Sequence, residues 1–355
     1  MAQRIYLDPV AVTGPQAAQD SALPLAGGPL CFNACQIARR NPAQPSRVRR
    51  ETLPITDLVR VEGARAWLDA LTPPRPAFAG ITLVRPAIMG VVNVTPDSFS
   101  DGGQRLAADT AVRDGKAMWD AGAAILDVGG ESTRPGAEPV SVDEELRRAL
   151  PVVQRLAEAG CRVSIDTRNA RTMREAVAAG ASIVNDVTGL THDPDALAAV
   201  AELGVPVVLQ HIQGDPQTMQ QGPSYDDAAL DVFDGLRARV EACEAAGIPR
   251  ERIAIDPGIG FGKTVQHNLE IMDRLGLFQG LGCPVLLGAS RKSTIAKVSR
   301  GEPADQRLAG SLAMALAGVQ RGAQMLRVHD VGETAQALAV WRAVALTQAP
   351  PDAPA

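Results

Sequence analysis

Aromatic residues are scarce in this sequence, at 3% of 355 residues, so rows of rings that stack on nucleic-acid bases are not expected. Cationic residues are in the minority as well: 35 lysines and arginines face 40 aspartates and glutamates, for a formal net charge of −5. A general nucleic-acid binder needs surplus cations to neutralise phosphates. The sequence therefore predicts no nucleic-acid partner.

Long apolar runs and a regular cysteine pattern are missing too. No run approaches the roughly 18 apolar residues that a helix needs to span a bilayer, and the first ten residues lack the apolar core of a signal peptide. The five cysteines are odd in number and scattered along the chain, which argues against a disulfide framework. These absences predict a soluble, cytoplasmic protein with no membrane partner.

The composition itself is ordinary for a globular protein, with 46% hydrophobic and 21% charged residues. The length suits one large domain with an appendage, or two domains. A proline cluster at positions 73, 74 and 76 divides the chain. We expect a small N-terminal extension module of unknown role at 1–75, a larger domain at 76–348 and a flexible tail at 349–355.

The N-terminal part contains apolar runs at Arg4–Val12 and Pro29–Ile37, followed by a predicted helix over Ile55–Leu71. It is also the most basic part of the chain. Its arginines have two interpretations, an anion-binding or partner-binding patch and the solvated face of a small module. These arginines are Arg39, Arg40, Arg47, Arg49 and Arg50.

After the prolines, short runs rich in Val, Ile and Leu alternate with longer Ala-rich stretches of helical period. This alternation is typical of βα units around a parallel sheet. About eight such units in about 270 residues predict a (β/α)8 TIM barrel. The predicted strands are Ala87–Val92, Ala124–Val128, Arg162–Ile165, Ile183–Asn185, Pro206–Leu209, Ile253–Ile255, Val285–Leu287 and Met325–Val328.

Nearly every predicted strand is followed or ended by a polar residue. In a (β/α)8 barrel the carboxyl ends of the strands converge on one mouth, so these side chains should share a site. Turn chemistry explains a single Asn or Asp at a strand end, but a full ring of charged groups predicts an active site. The ring consists of Asn93, Asp127, Asp166, Asn185, His211, Asp256, Ser290, Lys292, Arg327 and His329.

The last predicted strand carries Arg327 and His329, which are two residues apart and so face the same side. An arginine and a histidine directed together into the mouth suit a phosphate or diphosphate group; the alternative is a rim ion pair beside a capped histidine. The histidines show no HxH or HExxH spacing, which argues against a zinc hydrolase. A hard cation such as Mg²⁺ needs few protein ligands, and Asn93 and Asp101 could supply them.

The segment 256–264, DPGIGFGKT, approaches a nucleotide-binding P-loop in appearance only. That motif needs four residues between its first glycine and the Gly-Lys pair. The position where this first glycine would have to stand is occupied by Pro257. We therefore predict a loop over the mouth, in which Phe261 covers an aromatic ligand.

These strand ends lie inside strings that resemble the dihydropteroate synthase family, a branch of the pterin-binding barrels. In chain order the strings are MGVVNVTPDSFSDGG (89–103), ILDVGGESTRPG (125–136), VSIDT (163–167), IVNDV (183–187), IDPGIGFGK (255–263), GASRKS (288–293) and RVHD (327–330). The resemblance runs from about Pro86 to Leu346. It departs from the family pattern at Ile259, where Phe is frequent, and at Gln210, where Met is usual; both departures bear on pocket shape.

The resemblance implies an enzyme of folate biosynthesis and a target of sulfonamides. Such an enzyme condenses 7,8-dihydropterin-6-ylmethyl diphosphate with p-aminobenzoate, giving 7,8-dihydropteroate and diphosphate by an SN1-like path. It also implies Mg²⁺ as cofactor and a homodimer. A noncatalytic pterin-binding paralogue and a pterin-barrel methyltransferase are the alternatives. The intact ring of charged residues argues against the first, and the SRKS and RVHD strings argue against the second.

The resemblance also implies roles for individual residues. Asp256, Asn185 and Lys292 would bind the pterin ring, and Asp166 would stabilise the positive charge that develops when diphosphate leaves. The remaining assignments are Asp127 for substrate binding, Arg327, His329, Asn93, Asp101 and Mg²⁺ for the diphosphate, and Ser293, Thr133 and Arg134 for p-aminobenzoate.

Overall fold

The N-terminal part forms a four-stranded antiparallel sheet. The computed structural model describes residues 3–14, 21–94, 103–134 and 136–346. Strand β3 (Cys31–Asn41) pairs with β1 (Arg4–Val12) along one edge, and with β2 (Leu23–Pro24) and β4 (Gln44–Pro54). Because β3 lies inside the sheet, it carries the buried Phe32, Cys35 and Ile37, which are 0% exposed.

The prediction of a single helix over Ile55–Leu71 is wrong. The structure has two helices there, α1 (Ile55–Leu58) and α2 (Ala64–Leu71). The residue before α2 is Gly63, whose φ of 81° lies in the left-handed region that glycine adopts without strain. The chain turns at this residue, so the apolar positions on either side belong to separate elements.

Eight parallel strands form the second part of the chain. They are β5 (Ala87–Asn93), β6 (Ile125–Gly129), β7 (Val163–Asp166), β8 (Ile183–Asp186), β9 (Val207–Gln210), β10 (Ile253–Asp256), β11 (Leu286–Leu287) and β12 (Met325–Val328). Each strand pairs with its neighbours in the order β10-β9-β8-β7-β6-β5-β12-β11, and a parallel bridge between Ile255 and Val285 joins the two ends. The sheet is therefore closed, and the predicted (β/α)8 barrel is confirmed.

The strands are separated by helices on the outside of the barrel. Several of these helices begin at a side chain that caps the free backbone N–H groups: Ser141 accepts from Glu144, and Asp227 accepts from Leu230. No helix in the described ranges is long and apolar enough to cross a membrane. The helices are α3 (Gly103–Asp120), α4 (Val142–Glu158), α5 (Ala170–Ala178), α6 (Ala196–Leu203), α7 (Ala228–Ala245), α8 (Val265–Asp273), α9 (Ser293–Val298), α10 (Leu308–Val319) and α11 (Val331–Ala345).

The interior of the barrel has an apolar floor. Inward side chains from seven of the eight strands contribute to it, two of them from β5 and none from β7, and Phe78 and Leu83, from the segment that enters β5, close the amino-terminal end. A packed floor of this kind leaves only the carboxyl ends of the strands open to a ligand. The floor side chains from the strands are Ala87, Met89, Ile125, Ile183, Val208, Ala254, Leu286 and Met325.

The N-terminal sheet packs directly against the barrel rather than standing apart from it. The Trp67 ring of α2 stacks on Phe233 of α7, with centroids 5.1 Å apart, and Tyr6 of β1 meets Phe233 edge-on at 5.8 Å. Buried side chains from both parts belong to one continuous cluster, which is separate from the apolar floor of the barrel. The two parts therefore share a hydrophobic core.

The basic patch of the N-terminal sheet divides between two roles. Arg40 is only 7% exposed, and its Nη2 lies 2.6 Å from Asp231 of α7. Arg50 bonds to Asp227, which also accepts from Arg274 at 2.8 Å. Arg47 and Arg49 are exposed, and Arg39 pairs with Glu51 of the neighbouring strand. Two of the five arginines thus hold the sheet to the barrel, while two others lie on the solvated face.

Candidate active site

The site is built on the alternation of side chains along the barrel strands. Residues i and i+2 of a strand face the same side, so each inward residue of the apolar floor is followed, two positions on, by an inward residue nearer the mouth. These positions are polar on most strands, which turns the second layer into a ring of functional groups. The polar ones are Asp127, Asn185, Gln210, Asp256 and Arg327, and the corresponding position on β11 is Gly288.

Arg327 connects two carboxylates across the mouth. Its Nε donates to Asp127 Oδ2 at 2.6 Å, and its Nη2 donates to Asp166 Oδ2 at 2.7 Å. Both aspartates are buried, at 0% and 7% exposed. Burial lowers the pKa of Arg327, but the two carboxylates outweigh it and raise that pKa above its usual value. The guanidinium is therefore a permanent cation at the centre of the site.

One guanidinium does not balance two carboxylates. Burial, together with the neighbouring charge of Asp127, raises the pKa of Asp166 to about 7, although Arg327 opposes the shift. Asn185 Nδ2 adds a third contact, donating to Asp127 Oδ2 at 2.9 Å. Within the described ranges, Asp127 Oδ1 and Asp166 Oδ1 are buried without a hydrogen-bond partner. Unsatisfied buried acceptors are rare in stable cores, and here they mark atoms that a ligand would satisfy.

Asp256 shares this pocket with Arg327. A Cβ added to Gly288 would lie 3.2 Å from Asp256 Oδ2 and 3.9 Å from Arg327 Cβ, so both side chains line the same space beside residue 288. Asp256 is 2% exposed, and its Oδ1 accepts the N–H of Gly258 at 2.7 Å. Burial raises the pKa of Asp256, against the effects of this hydrogen bond and of nearby cations.

The loop after β10 depends on glycine. Gly258 has φ of 70°, and a Cβ there would lie 1.9 Å from the carbonyl oxygen of His211, an impossible contact. The tight turn lets the chain fold back so that Phe261 is buried at 7% exposed. The ammonium of Lys292 lies 4.0 Å from the centroid of this ring, a cation–π contact. That Phe261 covers an aromatic ligand stays a prediction.

Lys263 is a site residue to which sequence reasoning assigned no role. It is 2% exposed, and its Nζ lies 3.1 Å from His211 Nδ1 and 2.9 Å from the carbonyl oxygen of Phe261. Burial lowers the pKa of Lys263 to about 7, and burial with the lysine charge lowers that of His211 well below its usual value. The Gly-Lys pair after the turn was the signal that could have identified it.

Lys292 reaches the pocket through a strained turn. Arg291 before it has φ of 58°, a left-handed conformation that non-glycine residues seldom adopt. The Arg291 guanidinium donates to the Asp330 carboxylate through Nε at 3.1 Å and through Nη2. The backbone N–H of Arg291 donates to Ser311 Oγ at 2.9 Å. The SRKS and RVHD strings are thus joined by an ion pair. Burial, then the charge of Arg327, lowers the pKa of Lys292 to about 8.

His329 lies next to this turn as a neutral imidazole. Its Nδ1 is 3.0 Å from Ser290 Oγ. Burial, together with the charges of Arg327 and Arg291, lowers the pKa of His329 to about 3. Near neutral pH the ring carries no charge, so any contact that it makes with an anion is an N–H hydrogen bond.

Three further predicted residues lie at the outer part of the mouth. Thr133 lines a cavity of about 320 Å³ that also borders Arg168 and His192. Arg134 is exposed but close enough for its charge to lower the pKa of Lys292, and exposed Ser293 follows that lysine as the first residue of α9. Arg134 of the loop after β6 and Ser293 at the start of α9 are therefore both neighbours of Lys292.

Of the two predicted Mg²⁺ ligands, Asn93 ends β5 and is partly exposed at the mouth, whereas Asp101 lies outside the described residues. The part of the chain that the structure describes contains no group of three His, Cys, Asp or Glu that could hold a metal ion by itself. An amide oxygen at the mouth is a ligand that Mg²⁺ accepts beside phosphate oxygens and water. Asn93 therefore fits as one member of a shared coordination shell.

Comparison with known proteins agrees with this geometry. The family model described as "Pterin binding enzyme" matches residues 89–329. The dihydropteroate synthase of Escherichia coli K12 is 47% identical over 264 residues, which cover 74% of this chain and 93% of that protein. The chain belongs to the pterin-binding enzyme family, and the resemblance drawn from the motifs is confirmed.

Solved structures extend the comparison to bound ligands. The Xanthomonas albilineans dihydropteroate synthase with 4-aminobenzoic acid has a TM-score of 0.72 and 49% identity, covering 78% of this chain and 99% of that one. The same enzyme in complex with 7,8-dihydropteroate has a TM-score of 0.69 and 46% identity, covering 78% and 100%. About a quarter of this chain lies outside these matches.

Proposed function

We propose that the mouth of the barrel condenses 7,8-dihydropterin-6-ylmethyl diphosphate with p-aminobenzoate, forming 7,8-dihydropteroate and releasing diphosphate. The protein is a transferase of folate biosynthesis. The observation that carries the assignment is the Arg327 guanidinium shared between Asp127 and Asp166, with Asp256 in the same pocket. A cation for a leaving polyanion and a carboxylate for a ring edge thus face one another.

Asp256 would recognise the pterin by its amide-like edge. That edge presents two adjacent N–H donors, which one carboxylate accepts together. Asn185, which has a donor and an acceptor, would match the mixed remainder of the edge, and Lys292 would donate to the ring carbonyl or ring nitrogen. Because these groups are buried, an analogue that lacks a matching atom leaves one of them unpaired and is rejected.

The leaving group would be held by Arg327 and His329. The planar guanidinium donates two parallel N–H bonds to phosphate oxygens, and neutral His329 adds one more. Asn93 would hold Mg²⁺, which neutralises developing charge on the diphosphate when it is bound. Asp101 is proposed as a second ligand.

Bond cleavage would precede bond formation. The methylene C–O bond breaks with both electrons leaving on the diphosphate oxygen, and the electron-rich dihydropterin delocalises the positive charge that remains. The Asp166 carboxylate stabilises that charge. The lone pair of the p-aminobenzoate nitrogen then forms the C–N bond, and the nitrogen loses a proton to solvent.

p-Aminobenzoate would enter from the outer side of the mouth. Thr133 and Arg134 flank its ring, and the Ser293 hydroxyl donates to its carboxylate at the start of α9. The support is the position of Arg134 and Ser293 beside Lys292, and Thr133 precedes Arg134 in the same loop. This arrangement directs the amine toward the methylene carbon of the pterin.

We propose a division near residue 75 and a homodimer; exposed Val340 and Val344, one turn apart on α11, offer an apolar contact for a second copy. Four of the five free cysteines are buried, which suits the reducing cytoplasm. Light scattering of the full chain tests the dimer, with Val344→Glu as the variant expected to be monomeric.

The activity is tested on the full chain by measuring dihydropteroate and diphosphate with each substrate omitted in turn. We expect both products in equal amounts only when the pterin diphosphate, p-aminobenzoate and Mg²⁺ are all present. Tight binding of pterin without any dihydropteroate would instead identify a noncatalytic binding protein.

A further inference from the structure

Gln210 is a buried side chain at the mouth that the reaction described above does not use. It ends β9 and is 7% exposed, and its Nε2 is buried without a hydrogen-bond partner among the described residues. A buried N–H donor without a partner destabilises the folded protein. A donor kept in this state at a binding pocket calls for an acceptor that arrives with the ligand.

The position of Gln210 is fixed by the strand register. Gln210 pairs with Asp256 of β10, and Val208, two residues earlier, pairs with Asn185 of β8 on the other side. Val208 belongs to the apolar floor of the barrel, so Gln210 also faces inward. Its amide therefore lies on the pocket wall beside the carboxylate that is assigned to the pterin edge.

The chemistry of that edge defines what a donor beside Asp256 would meet. The two N–H donors of a 2-amino-4-oxopterin, on the 2-amino group and N3, are flanked by two acceptors: ring nitrogen N1 on one side and carbonyl oxygen O4 on the other. When Asp256 accepts from the donor pair, a neighbouring N–H faces one of these acceptors. A methionine, the usual residue in the family pattern, offers no such donor.

We propose that Gln210 Nε2 donates a hydrogen bond to the acceptor that flanks the donor pair of the bound pterin, and so determines specificity for the ring. The proposal rests on the proposed function and adds one ring contact to it. In the unliganded protein the donor is unpaired, and the pterin satisfies it. Gln210 thus destabilises the free protein and stabilises the complex with the substrate.

The variant Gln210→Met removes the donor and keeps the length of the side chain. We expect its dissociation constant for 6-hydroxymethylpterin, measured by calorimetry on the full chain, to rise about fivefold to tenfold, the equivalent of one hydrogen bond. KM for the pterin diphosphate should rise in parallel, while kcat and KM for p-aminobenzoate stay unchanged. Gln210→Glu places an acceptor against the acceptor of the ring and should weaken binding further.

A second buried glutamine provides the matched control. Gln279 is 0% exposed, and its Nε2 is satisfied by Gly322 O at 2.7 Å and Gln324 Oε1 at 2.9 Å. Gln279→Met should lower the melting temperature without changing the pterin dissociation constant. Gln210→Met should do the opposite, with a melting temperature at or above that of the wild type. If Gln210 has only a structural role, Gln210→Met should also lower the melting temperature and leave the pterin dissociation constant unchanged.

The 1-deaza analogue of the ligand, which has C–H at N1, distinguishes the two acceptors. If N1 is the partner, wild type and Gln210→Met bind the analogue equally; if O4 is the partner, the fivefold to tenfold difference persists. Equal or tighter binding of 6-hydroxymethylpterin by Gln210→Met overturns the proposal. Failure of the wild type to make dihydropteroate is a separate result that concerns the proposed function, since pterin binding is measured without turnover.

Discussion

Two clusters of arginine and aspartate in this molecule differ in how many guanidinium partners each carboxylate has. Where the N-terminal sheet meets α7, the three guanidinium groups of Arg40, Arg50 and Arg274 bond to the two carboxylates of Asp227 and Asp231. At the barrel mouth the single guanidinium of Arg327 serves Asp127 and Asp166. Asp227 therefore has two guanidinium partners, whereas Asp127 and Asp166 share one.

The difference separates a structural contact from a binding site. In the mouth, Asp127 Oδ1 and Asp166 Oδ1 stay unbonded within the described ranges, and the pKa of Asp166 rises to about 7 because of burial and its acidic neighbour. At the interface neither Asp227 nor Asp231 has such an atom; the buried Oδ1 of neighbouring Asp234 makes no hydrogen bond but lies 2.9 Å from Arg237 Nη2. Residue types alone do not separate the two clusters; the number of guanidinium partners for each carboxylate does.

The largest effect is expected from removing the excess carboxylate at the mouth. Asp166→Asn keeps the shape but loses the charge that stabilises the cation, so kcat/KM should fall by two to three orders of magnitude, about 3–4 kcal/mol. Arg327→Ala should lose as much, because the diphosphate then lacks its main cation. Steady-state kinetics with saturating p-aminobenzoate measures both.

Stability provides the contrast within the same variants. Because burial disfavours the Asp166 charge, Asp166→Asn should melt no lower than the wild type in calorimetry. Near-normal turnover of Asp166→Asn would show that Asp166 has no catalytic role. It would also contradict the proposed functional difference between the two clusters.

At the interface, the same type of substitution should act on folding instead. Arg40 is 7% exposed, and Arg40→Ala leaves Asp231 without its 2.6 Å partner. Breaking such a pair should lower the free energy of unfolding by about 3 kcal/mol, with kcat unchanged for the folded enzyme. Urea unfolding measures the loss, and exposed Arg49→Ala is the control expected within about 0.5 kcal/mol of wild type. A kcat lowered by Arg40→Ala, with stability intact, would contradict the structural role.

Much of the mouth could be predicted from the sequence, because the topology of a parallel barrel gathers the strand ends at one edge. Knowing that Asp127, Asp256 and Arg327 lie toward the carboxyl ends of barrel strands was enough to place them together. The sharing of Arg327 by two aspartates could not be predicted, since it depends on the register between β6, β7 and β12 rather than on spacing along one strand.

The N-terminal part was less predictable for a related reason. A basic stretch shows only that cations are present, and Asp231, the partner of Arg40, lies far away in the sequence on α7. The helix break depends on the left-handed conformation of one residue, Gly63, among the many glycines of the chain. Ion pairs between residues far apart in sequence and the sign of a backbone φ angle are properties of the folded chain. The local sequence pattern therefore does not reveal them.

A carboxylate of the N-terminal sheet allows a pH test of its contact with the barrel. Burial raises the pKa of Asp8 on β1 to about 7, from an ordinary value of 3.8, with Asp273 adding to the shift and Arg274 opposing it. Between these values the unfolded chain has released the proton and the folded chain has not. Stability should therefore fall as pH rises from about 4 to 7, by up to about 1.4 kcal/mol per pH unit.

The variant Asp8→Asn isolates this group. It should flatten the slope of unfolding free energy between pH 4 and 7, measured by urea titration at several pH values, and leave kcat unchanged. If the variant retains the wild-type slope, Asp8 is ionised in the folded protein and the interface contains no protonated carboxylate.

The smallest effect concerns the activity profile, where Asp8 and Asp166, whose pKa values are both raised to about 7, should behave differently. Protonation of Asp166 below about pH 7 removes the charge that stabilises the cation, and deprotonation of Lys292 above about pH 8 removes a ring contact. We expect kcat/KM for the pterin diphosphate to be bell-shaped, and to fall about tenfold per pH unit once pH is well below the lower value. Asp8→Asn should leave the bell unchanged, because Asp8 is distant from the mouth, whereas Asp166→Asn should abolish its acidic limb. An acidic limb that survives in Asp166→Asn would assign the titration to another group and separate the raised pKa of this carboxylate from catalysis.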